Sequence, residues 1–120
     1  MSYIIRTGNL AATPKLEEGE RGPYCYARVI VSDGERQEDG TWQDGPAIAY
    51  DVAVSGSTAR ELVAVAEACG NIRLTFTGFY RVSEYRTAQG ETRLSHRVRA
   101  DEVAVSLKGQ AVRVEPRTEA

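Results

Sequence analysis

The residues of this chain with the clearest chemical potential are aromatic rings and arginine side chains gathered in residues 71–107. This stretch predicts a long β-hairpin with its tip at residues 87–91, where Ala-Gln-Gly supplies the turn chemistry. Tyr85, Arg86 and Arg93 flank the tip, and Arg81 lies on the first arm. Such a ribbon suits a polyanion, because rings stack on flat groups while arginines neutralise charge. A solvated β-ribbon without a ligand is the alternative.

The first arm of this hairpin alternates between apolar and polar residues, as a half-buried strand does. Residues 72, 74, 76 and 78 face one way, and residues 73, 75, 77 and 79 face the other. Phe79 therefore points outward, either as a stacking platform or as a subunit contact. On an earlier alternating stretch Tyr24 and Tyr26 share a face with Arg28, and packing is the expected role of these tyrosines.

The loop at residues 33–45 contains three Asp-Gly pairs, and Trp42 is its single large apolar residue. A loop this polar has no core of its own. The indole of Trp42 therefore either tucks back against the sheet or stays available to a flat aromatic ligand.

Length and charge limit the classes of protein to consider. At 120 residues the chain predicts one domain, which we place at residues 1–114, followed by a short flexible tail at 115–120. The net charge of -2 argues against a protein that binds any nucleic acid through an overall positive charge. Positive residues nevertheless exceed acids after Gly70, so a locally positive surface remains compatible with the acidic average.

Several functional classes lack their motifs in this sequence. No nucleophile is paired with a base, no metal ligands cluster, and no phosphate-binding loop occurs, so we expect neither an enzyme nor a cofactor nor a small-molecule substrate. The single histidine, His96, is expected on a strand surface, and Cys25 and Cys69 as reduced thiols. No signal peptide or membrane-length apolar run is present, which predicts a cytoplasmic protein without membrane contact.

The order of elements predicts an all-β fold. Strands are expected at residues 2–10, 24–32 and 46–55, and a helix follows with its N-cap among residues 56–58 and a capping box from Thr58 to Glu61. Gly70 ends the helix, strands follow at 72–81 and 93–107, and a short strand is expected at 111–114. This order is that of the OB-fold, a five-stranded Greek-key barrel with one helix between strands three and four. A small Greek-key sandwich is the alternative.

Several segments in the same order resemble the bacterial single-stranded DNA-binding (SSB) protein family. Gly8-Asn9-Leu10 with Pro14 resembles the end of its first strand, and residues 35–45 resemble its second loop, especially the actinobacterial form. The helix from Gly56, residues 71–78 and 81–85 with Gly90, and residues 103–107 are similar to the rest of its domain. The resemblance covers nearly all of residues 2–108.

The resemblance implies an OB-fold that assembles as a homotetramer and wraps single-stranded DNA across aromatic and basic residues. Tyr85 stands where the family has a stacking tryptophan, and Trp42 stands in a loop whose aromatic residue stacks on bases. Arg81 and Arg93 stand where the family has hairpin arginines.

This sequence also departs from the family. Ala49 and Ser55 replace two stacking aromatics of the third strand, with Tyr50 one residue away, and Asp51 replaces a basic residue. Since stacking contributes roughly 1–3 kcal/mol per base, we expect a weaker DNA binder. The acidic tip with which family members recruit partners is also missing, which is expected of a paralogue, mobile-element or phage form.

Two hypotheses follow from the sequence. The first is a non-catalytic protein that binds single-stranded DNA with little sequence preference, in replication, recombination or repair. The second is an OB-fold interaction module with weakened DNA binding that assembles with a true SSB or a replication factor. The residues expected to contact DNA are Arg28, Trp42, Tyr50, Phe79, Arg81, Tyr85, Arg86 and Arg93.

Overall fold

Five long strands and one helix make up most of the molecule. The computed structural model describes residues 2–117. Its elements are β1 (Ser2–Leu10), β2 (Glu17–Gly19), β3 (Gly22–Ser32), β4 (Glu35–Arg36), β5 (Trp42–Gln43), β6 (Ala47–Ser55), α1 (Ser57–Cys69), β7 (Arg73–Arg86) and β8 (Thr92–Val105). The five long strands correspond to the five predicted ones, and α1 lies between the third and fourth of them.

The long strands form a ring. The sheet order is β1-β7-β8-β6-β3-β2, and β1 pairs a second time with β3 through Asn9↔Ile30 and Leu10↔Val29. This second pairing joins the two sides of the sheet. Strands β6 and β8 run parallel, and the other pairs within the ring run antiparallel. The short strands β4 and β5 form a separate hairpin in the second loop.

Alternation along the strands fills the interior of the ring. Every second residue is buried from Cys25 to Val31 of β3 and from Tyr50 to Val54 of β6, in agreement with the period-two prediction. Helix α1 packs against β3 and β6 through its own buried side chains. The largest fully buried side chains are Phe76, Leu10, Leu74, Val29, Val52, Val98 and Cys25.

The helix is capped two residues before Thr58, the first residue of the predicted capping box, and within the predicted N-cap range of residues 56–58. Gly56 is the N-cap, with φ 71°, and no side chain caps the helix. Thr58 therefore lies inside the first turn rather than at the cap, so the predicted capping box with Glu61 is wrong. At the other end the helix stops at Gly70, as predicted, and Gly70, with φ 77°, donates its N–H to the carbonyl of Ala66. Among residues 2–117 no helix is long and apolar enough to cross a membrane.

The hairpin of β7 and β8 has its tip where the sequence predicted it, but its first strand is longer than predicted. Its first arm continues past residue 81 to Arg86, and its tip is a turn in which the Gly90 N–H donates to the Thr87 carbonyl at 2.9 Å. The pairing shifts register between Thr77 and Gly78. At Gly78 a Cβ would collide with the carbonyl oxygen of Arg99, so this close approach of the two strands requires glycine.

The strand predicted at residues 111–114 is wrong, because these residues have no regular secondary structure. The side chain of Gln110 holds the C-terminal segment instead. The Gln110 amide accepts from the Arg73 N–H at 3.1 Å and donates to the Arg73 carbonyl at 2.7 Å. Ser106 N–H donates to the same carbonyl. Strand β7 lies between β1 and β8 in the sheet, so neither of its edges is open to a further strand. The predicted tail falls partly outside the described residues.

The two cysteines occupy different environments. Cys25 is buried in the core, and Cys69 is exposed at the end of α1; both are free thiols. Burial raises the pKa of the Cys25 thiol, because the charged thiolate is poorly solvated there.

We expect Gln110→Ala to lower the free energy of unfolding by about 1–2 kcal/mol, because the partly buried N–H of Arg73 loses its acceptor. Urea denaturation would measure the change. Gln89→Ala, at the exposed hairpin tip, is the matched control and should leave stability nearly unchanged. Equal stability of the two variants would contradict this role of Gln110.

Candidate nucleic-acid interface

A row of three aromatic side chains, one arginine and one alanine crosses the outer surface of the ring. The strand register places Tyr3 opposite Phe79, Phe79 opposite Arg99, Arg99 opposite Ala53, and Ala53 opposite Tyr26. We call these five residues the aromatic row. Tyr26, at 65%, is highly exposed. The row therefore presents rings at the surface of both β7 and β3.

The arrangement within the aromatic row leaves a cation beside a ring. The rings of Tyr3 and Phe79 meet edge to face with centroids 5.1 Å apart. The guanidinium carbon of Arg99 lies 5.1 Å from the centroid of Phe79, a cation–π contact. Phe79 is thereby held in place by two neighbours, and the planar guanidinium of Arg99 offers a further flat surface.

Arginines dominate the next row along the strands. Arg81 of β7 is opposite Arg97 of β8, Arg97 is opposite Asp51 of β6, and Asp51 is opposite Arg28 of β3. We call these four residues the arginine row. Asp51 accepts from Arg28 at 3.3 Å between Nη1 and Oδ1. Three positive charges and one negative charge thus lie side by side.

The two rows border a groove with a volume of about 630 Å³. It is lined by Tyr26, Asp51, Ala53, Phe79, Arg81, Arg97, Val98 and Arg99. This volume lies within the range of about 300–1,000 Å³ that is usual for sites of small organic groups. We call it the outer-face groove. It combines flat apolar walls with arginines, which is what a nucleotide needs: a stacking surface for the base and a cation for the phosphate.

Most arginines of this surface are not neutralised by nearby acids. Within residues 2–117, Arg81, Arg97 and Arg99 form no ion pair with a carboxylate. Acids pair elsewhere, for example Asp33 with Arg6 and Glu18 with Arg60. The acidic average of the chain therefore coexists with a positive outer face.

The hairpin beyond the ring carries the second group of predicted residues. Tyr85, which pairs with Arg93 across the strands, is 51% exposed. Arg86 is also exposed. Arg93 Nη2 lies 3.1 Å from Glu91 Oε2, an exposed pair that contributes little stability and that a phosphate can replace. The hairpin end thus provides a ring and two cations at the surface.

Trp42 lies on the small β4–β5 hairpin, with 63% of its surface exposed. Its Nε1–H donates to Asp44 Oδ1 at 3.0 Å, and its ring packs against Gly34, where a Cβ would collide with it. The indole is thus oriented by contacts within its own loop and remains accessible. Of the two alternatives left open by the sequence, the exposed one is found.

Tyr50, in contrast, does not belong to the surface. It is only 4% exposed, and its ring packs against Phe76, Tyr80 and His96, with the guanidinium of Arg6 5.7 Å from its centroid. The inclusion of Tyr50 among DNA contacts is therefore wrong: it alternates in phase with Val52 and Val54, which point inward. Burial raises the pKa of the Tyr50 phenol, an effect that Arg6 partly opposes.

His96 is likewise not a free surface residue. It is half-buried, and its Nδ1 lies 2.7 Å from the hydroxyl of Tyr80, with the two rings stacked. Together with Tyr50 it packs at the base of the projecting hairpin. These contacts support the arm that carries Tyr85.

Some residues of the outer-face groove were not expected from the sequence. Tyr26 was assigned to packing, and Arg97 and Arg99 were not proposed as contacts. All three alternate out of phase with buried neighbours, Cys25, Ala27 and Val98. The alternation thus carried the signal that they face outward, but the cross-strand register was needed to bring them to one groove.

The exposure of Trp42 has a direct spectroscopic consequence. Because Trp42 is the single tryptophan, intrinsic fluorescence should show an emission maximum close to that of free tryptophan in water. Acrylamide should quench it nearly as efficiently as it quenches the free amino acid. A blue-shifted emission that resists quenching would contradict this placement of Trp42.

Solved structures similar to this fold include two single-stranded DNA-binding proteins. The small single-stranded DNA-binding protein from Streptomyces coelicolor is 21% identical, with 88% of this chain and 94% of that chain covered and a TM-score of 0.75. The Plasmodium falciparum SSB in complex with ssDNA is 10% identical, with coverages of 88% and 95% and a TM-score of 0.57. Both are named for DNA binding rather than for a reaction. No protein-family model and no curated protein matches the sequence. The resemblance to single-stranded DNA-binding proteins that the sequence motifs indicate is therefore confirmed at the level of the fold.

Proposed function

We propose that this protein binds single-stranded DNA with little sequence preference and without catalysis. Its role would lie in replication, recombination or repair. Bases stack on exposed rings, and arginines neutralise the phosphates between them. The observation that carries the proposal is the outer-face groove, where rings from β3 and β7 lie beside Arg81, Arg97 and Arg99, which form no ion pair within residues 2–117. The fold shared with two single-stranded DNA-binding proteins supports it.

The path of the DNA follows from where rings and cations are exposed. The groove supplies Phe79 and Arg81, and Arg28 lies beside it. The projecting hairpin extends the same strands to Tyr85, Arg86 and Arg93. Trp42 adds a platform on the second loop. We therefore retain seven of the eight predicted contacts, add Tyr26, Arg97 and Arg99, and leave out the buried Tyr50.

The architecture supports the same proposal. We infer that the ring of β1, β3, β6, β7 and β8 is the five-stranded Greek-key barrel of an OB-fold, with α1 between its third and fourth strands. OB-folds bind oligonucleotides on the faces of their second and third strands, which here are β3 and β6. Both strands contribute residues to the outer-face groove. The assignment of the binding domain to residues 1–114 and the cytoplasmic location remain predictions.

We also propose that the protein is a homo-oligomer, a tetramer if it follows the family it resembles. On the described chain, residues 2–7 of β1 pair with β7 on one side and have no strand on the other. Ile5, at 66% exposure, and Tyr3 lie on this strand. An open strand edge with apolar side chains is suited to contact with another chain.

The second candidate is an interaction module that assembles with a true SSB or a replication factor and binds DNA weakly. The open edge of β1 favours it, as do the exposed apolar side chains Val82 and Leu94 on the hairpin. A partner of different sequence would then occupy these surfaces. The two candidates differ in what the isolated protein does with DNA.

The contribution of the arginine row is measurable by anisotropy of a labelled dT oligomer. Replacing both Arg81 and Arg97 by alanine should weaken binding and reduce the salt slope, d log K/d log[salt], by about 1.4 in magnitude. The reason is that each phosphate contact on a single strand releases about 0.7 counterion. Affinity of the unmodified protein should fall steadily as salt rises.

The matched control is the pair of substitutions Arg60→Ala and Arg113→Ala, which removes the same charge from the helix and the C-terminal segment. If the control reduces the slope as much as the arginine-row variant, the binding surface lies elsewhere. Absence of binding to dT at low ionic strength would overturn the proposed function.

Light scattering of the isolated protein with and without a dT oligomer separates the two candidates. For the DNA-binding homo-oligomer, we expect the mass of a single closed oligomer and an added oligonucleotide mass on mixing. A monomer whose mass is unchanged by dT would favour the interaction module instead. Ile5→Glu, on the open edge of β1, should lower the mass to that of smaller assemblies, because a charge replaces an apolar contact.

A further inference from the structure

One acidic residue lies in the middle of the positive outer face. Asp51 lines the outer-face groove and is flanked by Arg28 on β3 and Arg97 on β8. Its side chain remains 39% exposed. Among the described residues only Arg28 donates to it, through Oδ1, and Oδ2 accepts no hydrogen bond. A carboxylate oxygen is therefore free to accept from whatever enters the groove.

A carboxylate at this position is unfavourable for phosphate binding. It repels a phosphate placed next to it, and it cancels part of the field of its neighbouring arginines. The same group is favourable opposite the hydrogen-bond donors of a base, because charge-assisted hydrogen bonds are stronger than neutral ones. In a groove whose walls are rings, the part of a nucleotide that reaches Asp51 is therefore the edge of a base.

The four bases differ in what their pairing edges, which are open in a single strand, present to a carboxylate. Guanine offers two adjacent donors, its ring N1–H and its exocyclic N2 amino group. Cytosine and adenine each offer one amino group next to a ring nitrogen that is an acceptor. Thymine offers one N–H between two carbonyl oxygens. Guanine alone matches both oxygens of a carboxylate without repulsion from a neighbouring acceptor.

The neighbouring arginine completes this match. The O6 acceptor of guanine lies next to N1–H, and Arg97, the cross-strand partner of Asp51, is the nearest residue of β8 in register. An arginine bound to guanine O6 is a common specific contact. Arg28 acts as a positioning residue, since its hydrogen bond to Oδ1 orients the carboxylate. Stacking against Tyr26 or Phe79 would hold the plane of the base between the groove walls.

We propose that Asp51 makes the outer-face groove a guanine-preferring subsite within the DNA path. The inference rests on the proposed function and refines it: binding along the rest of the path remains insensitive to sequence. It also gives a role to the acidic residue that stands where the family it resembles has a basic one.

The test compares three oligomers of about twelve nucleotides, a length within the usual range of single-strand sites. The first alternates dT with dG, the second alternates dT with deoxyinosine, and the third is dT alone. The base of deoxyinosine, hypoxanthine, is guanine without the N2 amino group, so the substitution removes one donor and leaves the stacking surface. Lithium buffer prevents guanine quadruplexes.

We expect the protein to bind the dT-dG oligomer at least about fivefold more tightly than the dT-deoxyinosine oligomer. Asp51→Asn should bring this ratio close to one, because an amide cannot accept two hydrogen bonds side by side. Its affinity for dT alone should rise, since a negative charge is removed from the path. Glu67→Gln, the same charge change on α1, should keep the full ratio.

The outcomes are distinguishable. A ratio near one for the unmodified protein, with dT bound normally, overturns the guanine subsite and leaves the proposed function intact. Equal loss of affinity of Asp51→Asn for all three oligomers also overturns it, because the residue would then only maintain the groove. If none of the oligomers binds, both proposals fail.

Discussion

The hydrogen-bond register of the closed ring determines which side chains become neighbours on its outer face. Because side chains alternate along each strand, filling the core with residues such as Phe76 and Val52 forces their neighbours outward. The pairing between β6 and β8 then decides which outward residues meet. A slip of one residue in this pairing would separate Asp51 from Arg97. The aromatic row and the arginine row are thus consequences of one set of backbone hydrogen bonds.

The same register explains how an acidic protein carries a positive surface. Acids of the first half of the chain lie beside residues such as Arg6, Lys15 and Arg60, whereas β7 and β8 bring arginines together on the ring. Exposed ion pairs contribute little free energy, so the pair of Arg93 with Glu91 on the hairpin does little to hold that arginine in place. Net charge alone therefore says little about this surface.

The sequence predicted the long elements well and their ends less well. Periodicity located all five long strands and the helix, because alternation and a helical apolar face are local properties of the chain. It missed that β7 continues to Arg86, since the exposed end of the hairpin has no buried face to create a pattern. The short strand expected at 111–114 is absent, and the segment after β8 is instead held by hydrogen bonds between the Gln110 side chain and the backbone of Arg73.

For the candidate site, the residue types and the outward direction of Phe79 followed from the sequence, whereas the exposure of Trp42 and Tyr26 did not. Rings and arginines on alternating strands were identified, and the phase of Tyr50 with its buried neighbours already indicated that it points inward. What the tertiary structure alone decided is that Tyr26, Asp51, Phe79 and Arg97 line one groove. They lie on four strands far apart in the chain, and a strand's own pattern specifies its two faces but not the register of its neighbours. That register is settled only when the ring closes around its core.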